Sequence, residues 1–330
     1  MSDTEALKPL KTWSYLSKQR RRPSEYEIVS TNLHFSTDNP DCPWELDSNL
    51  FVNRWFREHR EGSPLAHEDW DAFRDPDEIV YRTYNMMQDG QENYVDGLLE
   101  EFDKLGHDAG LSDAWVPALA RLYTPARYPM HALQMASAYI SQMAPASTIT
   151  NCSTFQAADA LRWLSRIAYR TKELANAWPH AGFGENERDI WENDPAWQGF
   201  RELLEKALTA YDWGEAFVAV CLVAKPAVDE AFLHQMALSA RRNDDTLLGF
   251  MADAQAQDSE RARRWAGALV QFALQNDANK DVIEKWLAKW VPLGDAAIDA
   301  YCAALPDSPT AADDAKRQAR AFRTGLGLSV

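Results

Sequence analysis

Histidine and carboxylate side chains are the groups in this 330-residue sequence best suited to chemistry, and it holds seven His against fifty Asp and Glu. Helical bundles that hold two metal ions draw one Glu from each of two helices and Glu-x-x-His from each of two more. The spacing matters because residues i and i+3 share a helix face, so carboxylate and imidazole reach the same ion. The residues three before the histidines are Thr31, Phe56, Pro64, Lys104, Tyr128, Ala177 and Ala231. None is acidic, so the motif is absent. Its nearest remnants are Tyr128-x-x-His131 and Asp258-x-x-Arg261, with a phenol replacing one carboxylate and a guanidinium replacing one imidazole. Arginine has no lone pair to offer a metal, and beside Asp258 it forms a self-neutralising pair. Tyr128, His131, Asp258 and Arg261 are therefore read as structural polar positions. Asp258 and Arg261 are expected to pair inside a bundle, with His131 or Gln142 nearby. No catalytic, cofactor-binding or metal-binding residue is assigned to this chain.

Other chemistries leave even less trace. Cys42, Cys152, Cys221 and Cys302 are widely spaced and form no CxxC pair, which points to buried free thiols. Dinucleotide, phosphate-loop and nucleophile-elbow motifs are all missing. A formal net charge of −16 argues against nucleic acid and against an anionic membrane surface as partners. No signal-like apolar run opens the chain and no segment has membrane-spanning character, so a soluble cytoplasmic protein is expected.

The elements that must position these residues are helices. Thr124 and Pro125 suit a helix start, and Tyr128, His131, Met135, Ala138 and Gln142 then recur at helical spacing, read as an inner stripe ending at Pro145. Asp75-Pro76-Asp77-Glu78 reads as another start, followed by Val80, Tyr84, Met87, Gln91, Tyr94 and Leu98. A helix from about Cys152 carries Phe155, Leu161 and Ile167. Asp194-Pro195 opens a run to about Arg242, apolar all round from Ala216 to Ala224 and expected to kink at Lys225-Pro226. Asn243–Asp245 begins a further helix, and a short pair, 282–290 and 296–305, follows. Residues 1–62 read as an extended arm, 63–305 as an all-α bundle with extra helices, and 306–330 as a loose tail. Trp13, Tyr26, Phe35 and Trp44 have no helical stripe to join, which makes them candidates for contact with a neighbouring subunit.

Several segments carry a resemblance. Arg22-Pro-Ser-Glu-Tyr26, Asp41-Cys-Pro-Trp-Glu-Leu46, Val80-Tyr-Arg-Thr-Tyr-Asn-Met-Met-Gln-Asp-Gly-Gln91, Gln142-Met-Ala-Pro-Ala-Ser-Thr148 and Ala210-Tyr-Asp-Trp-Gly-Glu-Ala-Phe217 are long enough to be specific. With them the chain resembles the β subunit of bacterial multicomponent di-iron monooxygenase hydroxylases, closest to the toluene/o-xylene and toluene-4-monooxygenase group. The resemblance implies a ferritin-like helical bundle. It implies a heterohexamer with two copies each of α, β and γ subunits, served by an effector protein and an NADH-fed ferredoxin and reductase. It also implies that the di-iron cofactor belongs to the α subunit and that this chain is its iron-free scaffold in aromatic-hydrocarbon catabolism. The alternatives are a self-standing helical interaction protein unrelated to oxygenation and a self-sufficient di-iron oxidase, the latter opposed by the histidine spacing.

Overall fold

The computed structural model describes residues 23–31 and 49–329, and among them there are helices and no strands. Eight longer helical elements build the body. They are α1 (Tyr81–Lys104), α2 (Arg127–Met143), α3 (Ser147–Ala177), α4 (Pro195–Ala207), α5, α6 (Thr246–Ala273), α7 (Ala278–Cys302) and α8 (Ala311–Gly325). The element α5 is continuous from Trp213 to Arg242, although its backbone widens into π-helical turns twice along the way. Together these helices form a ferritin-like bundle, with α2 laid along α3 and α7 along α4.

Why α5 is central follows from its sequence. Every residue from Val218 to Ala224 is apolar and buried, so no face of that stretch is left for solvent. The helix runs on through Pro226 without ending. Val218–Ala224 and Asp229–Gln235 adopt wider π-helical turns on either side of it. Such turns accommodate a residue that lacks an N–H without breaking the rod. Pro292 is likewise carried inside α7, so the expected short pair is one helix, pinned by buried Trp286, Trp290, Ala297 and Ile298 on both sides of the proline.

Caps decide several boundaries. Asp245 accepts from the Leu248 backbone N–H at 3.0 Å and starts α6 one residue later, as the sequence indicates. Asp212 does the same for α5, accepting from Gly214 and Glu215. It thereby splits the run expected from Asp194 to Arg242 into α4 and α5. Asp75 instead closes a turn, accepting from the N–H groups of Asp77 and Ile79 at 3.0 and 3.1 Å, and α1 begins only at Tyr81. Thr124 caps nothing. It is buried in the tight turns that lead into α2, its hydroxyl donating to the Ala120 carbonyl at 3.2 Å.

Both ends of the bundle differ from expectation. The tail after Pro306 is not loose, because α8 buries Ala311, Ala315 and Ala319 on the body and Arg323 donates to the Leu222 carbonyl of α5. At the other end, the short helical turns Phe51–Phe56 and Arg57–Glu61 belong to the body. Trp55 donates to the Tyr139 hydroxyl at 3.0 Å and packs edge-on to Tyr211. Tyr26 lies in the helix Glu25–Ser30 and is engaged by its own chain. It is buried, its hydroxyl accepts from the Asp75 N–H at 3.0 Å, and Arg74 covers its ring. Trp13, Phe35 and Trp44 lie outside the described residues.

Tryptophan fills the core. Trp115, Trp163, Trp197, Trp213 and Trp290 are all buried. A buried ring removes a large apolar area from water, at roughly 25 cal/mol per Å². The three described cysteines, Cys152, Cys221 and Cys302, are buried free thiols, as the spacing suggests. Burial pushes the Cys221 and Cys302 thiols up to about 12, so they stay protonated and unreactive.

Candidate functional site

The sequence points to two helices for polar chemistry, and the structure keeps one of them. On α2 the buried side is Met130, Leu133, Ser137 and Ile140. The stripe of Tyr128, His131, Met135, Ala138 and Gln142 is turned the other way: His131 and Gln142 are exposed and Met135 is 40 % exposed. Tyr128 stacks on Trp191 with ring centroids 5.8 Å apart, which is packing at the flank of the bundle. The reading of this stripe as inner is corrected. Both faces of α2 offer apolar residues at helical spacing, and the larger set, Met130 to Ile140, took the core.

The α6 pair is where the bundle places its charge. Asp258 and Arg261 are buried one turn apart, and Arg261 Nη2 donates to Asp258 Oδ1 at 2.9 Å. The same nitrogen donates to Asp159 Oδ2 of α3 at 2.5 Å. From α1, Gln88 Nε2 bridges the two carboxylates at 3.1 and 2.9 Å, and the Tyr84 hydroxyl donates to Asp159 Oδ1 at 2.8 Å. From α3, Trp163 Nε1 donates to Asp258 Oδ2 at 2.8 Å and Arg162 Nη1 reaches the same oxygen at 3.2 Å. The neighbours expected from the sequence, His131 and Gln142, take no part.

Asp159 and Arg162 are what sequence reasoning missed. They repeat the Asp-x-x-Arg spacing of Asp258 and Arg261 on the adjacent helix. A search anchored on histidine passes over this signal, because a carboxylate three residues before an arginine is also an ordinary surface ion pair. The fourth wall is α5, where Lys225 Nζ donates to both oxygens of Asp229 at 2.9 and 3.0 Å and to Ser259 Oγ at 3.1 Å. A cavity of about 20 Å³, room for about one water, lies among Asp159, Asp229, Asp258 and Lys225.

Electrostatics at the centre are balanced on a narrow margin. Burial, and next the nearby Asp258 carboxylate, push Asp159 up to about 6, against the pull of Arg261. The Tyr84 phenol is raised far above its ordinary value, first by burial and then by Asp159, so it stays protonated and can donate to Asp159. A second ion pair ties α3 to the start of α6: Arg170 and Asp245, both fully buried, meet at 2.7 Å. Burial alone would raise Asp245, yet Arg170, His107 and Trp115 hold it well below the usual carboxylate range.

Would this centre suit a pair of iron ions, as a ferritin-like frame invites? Iron in such bundles takes carboxylate and imidazole donors from all four helices. Here the two arginines and Lys225 are cations without a free lone pair. Their guanidinium and ammonium groups already engage Asp159, Asp258 and Asp229. Among the described residues no group of three or more His, Cys, Asp or Glu is placed to hold a metal ion. The donor set does not fit.

Comparison with known proteins places the frame. The family described as Methane/Phenol/Alkene Hydroxylase matches residues 55–277. The hydroxylase component subunit beta of the toluene-4-monooxygenase system of Ectopseudomonas mendocina is 54% identical over 301 residues, 91% of this chain and 92% of that one. Among solved structures, toluene 4-monooxygenase with toluene bound in the resting active site contains a chain matching with a TM-score of 0.87 and 53% identity, covering 91% of this chain and 99% of that one. A chain of phenol hydroxylase from Pseudomonas sp. OX1 shares the fold at a TM-score of 0.82 and 20% identity, covering 100% of this chain and 99% of that one. The chain belongs to the methane/phenol/alkene hydroxylase family, as a β subunit of the hydroxylase component of a multicomponent monooxygenase.

Proposed function

We propose that this β subunit is an iron-free scaffold that holds a di-iron α subunit in its working shape within an aromatic-hydrocarbon monooxygenase. The observation that carries the reading is the charged centre, where guanidinium and ammonium groups take the places that metal donors would need. The chain keeps the helix plan of a metal-binding bundle while the carboxylates at its centre are already engaged by cations. Its value to the complex is then surface and rigidity. A large, well-packed body offers helix faces to a structurally related partner, an arrangement suited to an extensive and largely apolar interface. Trp13, Phe35 and Trp44 are its candidates for contacts with that partner.

The assembly we infer holds two copies each of α, β and γ chains in the cytoplasm. An effector protein and an NADH-fed ferredoxin and reductase act on it, with an aromatic substrate of the toluene, xylene or phenol type bound in the α subunit. Among the described residues no helix is long and apolar enough to cross a membrane. Co-expression with the α and γ chains tests the reading. Iron should purify with α, this chain alone should hold less than stoichiometric iron, and hydroxylation should vanish when it is omitted. Assembled, iron-loaded complexes carrying His131→Ala or Tyr128→Phe should turn over normally per iron pair. A large loss there, or tightly held iron in the isolated chain, would make this subunit a participant in catalysis.

A further inference from the structure

We propose that Arg162 and Arg261 are resident cations standing in for the ions of a metal-binding bundle, and that they keep divalent metal out of a donor frame that is otherwise still in place. The inference rests on this chain's own residues and stands whether or not it scaffolds a partner.

The frame comes first. Asp159 and Arg162 on α3, and Asp258 and Arg261 on α6, repeat one i, i+3 spacing on neighbouring helices, and all four side chains converge on a single centre. This is the placement that Glu-x-x-His takes in two-metal bundles. The geometry around Arg261 is that of a bridged cation: one nitrogen is shared by carboxylates from two helices, at 2.5 and 2.9 Å. Gln88 spans the same two carboxylates, where such a bundle would place a third acid. Its Oε1 is buried and has no donor partner.

Charge explains why arginine suits the position. Two carboxylates brought together in a dry interior must be neutralised, and a guanidinium does so with directed hydrogen bonds. It also blocks a metal, since it repels cations and offers no lone pair. Space and access remain beside it. The water-sized cavity borders Asp159, Asp229 and Asp258. A surface cleft of about 550 Å³ between α1 and α6, with Met87 and Tyr94 on its walls, reaches down to Asp258 and Arg261. Exchanging both arginines for histidine would leave two aspartates and two imidazoles at i, i+3, a set that suits divalent transition ions.

The test uses the full-length chain carrying Arg162→His and Arg261→His, titrated with Co²⁺ and read by cobalt absorption and by metal content after desalting. At least one cobalt per chain is expected, bound at least 100-fold tighter than by the unaltered protein. A folded double variant that binds cobalt no tighter than the unaltered chain overturns the proposal. Because the double variant is missing one buried and one half-buried charge, thermal unfolding with and without Co²⁺ is followed in parallel, for it and for Arg261→His alone. Both should gain melting temperature with cobalt, as expected for a ligand of the native state, while the unaltered chain should not. No gain, or failure to fold even with cobalt present, overturns it as well, since the ion should restore the missing charge. Adding His131→Ala on the outer face of α2 should leave binding unchanged, and a cobalt signal that depends on His131 would place the ion elsewhere and sink the idea.

Discussion

Arg261 and Asp159, 102 positions apart in the chain, meet at 2.5 Å in the middle of the bundle. That one bond joins α6 to α3, and Asp258 one turn away makes it a three-group cluster. Removing a partner from such a pair leaves a buried charge without compensation. Arg261→Ala should cost about 3–5 kcal/mol in denaturant unfolding. Arg261→Met with Asp159→Asn should cost less than the sum of the single changes, because the groups are coupled. Additive losses would mean that the pair is screened by water.

The two buried aspartates should answer acid in opposite ways. Asp159 is raised to about 6, so its contribution to stability is full below the unfolded carboxylate range and fades as pH rises through about 6. Asp245 is held low, so its contribution is full above the unfolded range and is lost only as pH falls below it. Melting curves from pH 7 to pH 4.5 read this directly. Relative to Asp159→Asn, the unaltered protein should gain stability as pH drops. Relative to Asp245→Asn, its advantage should hold nearly constant. A gap to Asp159→Asn that shrinks on acidification would show that Arg261 holds Asp159 below its unfolded value, and a flat gap would show a well solvated carboxylate.

The C-terminal helix should prove structural. Truncation after Pro306 uncovers the surface on which Ala311, Ala315, Ala319 and Leu328 are buried and frees the Leu222 carbonyl from Arg323. The loss should be on the order of 3 kcal/mol or more, at about 0.8 kcal/mol per buried methylene plus the hydrogen bond. Equal melting temperatures for the truncated and full chains would show α8 to be an ornament.

Gly199 offers a test of close packing. A Cβ built there would lie 2.6 Å from the Ala297 Cα, so α4 and α7 approach to backbone distance at this point. Gly199→Ala gains helix propensity in isolation yet must wedge the two helices apart. A net loss of about 1–3 kcal/mol is expected from the overpacking. A stabilised variant would show that the helices can slide without cost.

The sequence by itself determined that the chain is a helical bundle, that Asp245 starts a helix, that Val218–Ala224 is buried on all sides, and that no Glu-x-x-His motif is present. These follow from local chemistry: side-chain caps, hydrophobic periodicity, and which atoms can ligate a metal. Where helices end was less legible. The segment around Pro292 reads as a gap between two short helices, but packing of its neighbours outweighs the missing hydrogen bond, and the tail reads as loose although its stripe of alanines forms a helix face. Only the tertiary structure decided the phase of α2, because two stripes on that helix could each have faced the core, and burial of Met130 and Leu133 turned His131 to solvent. Only it gave Asp159 and Arg162 their meaning. An aspartate and an arginine three residues apart are unremarkable on one helix, and they become a charged centre when a second such pair and Gln88 converge on them from helices far away in sequence.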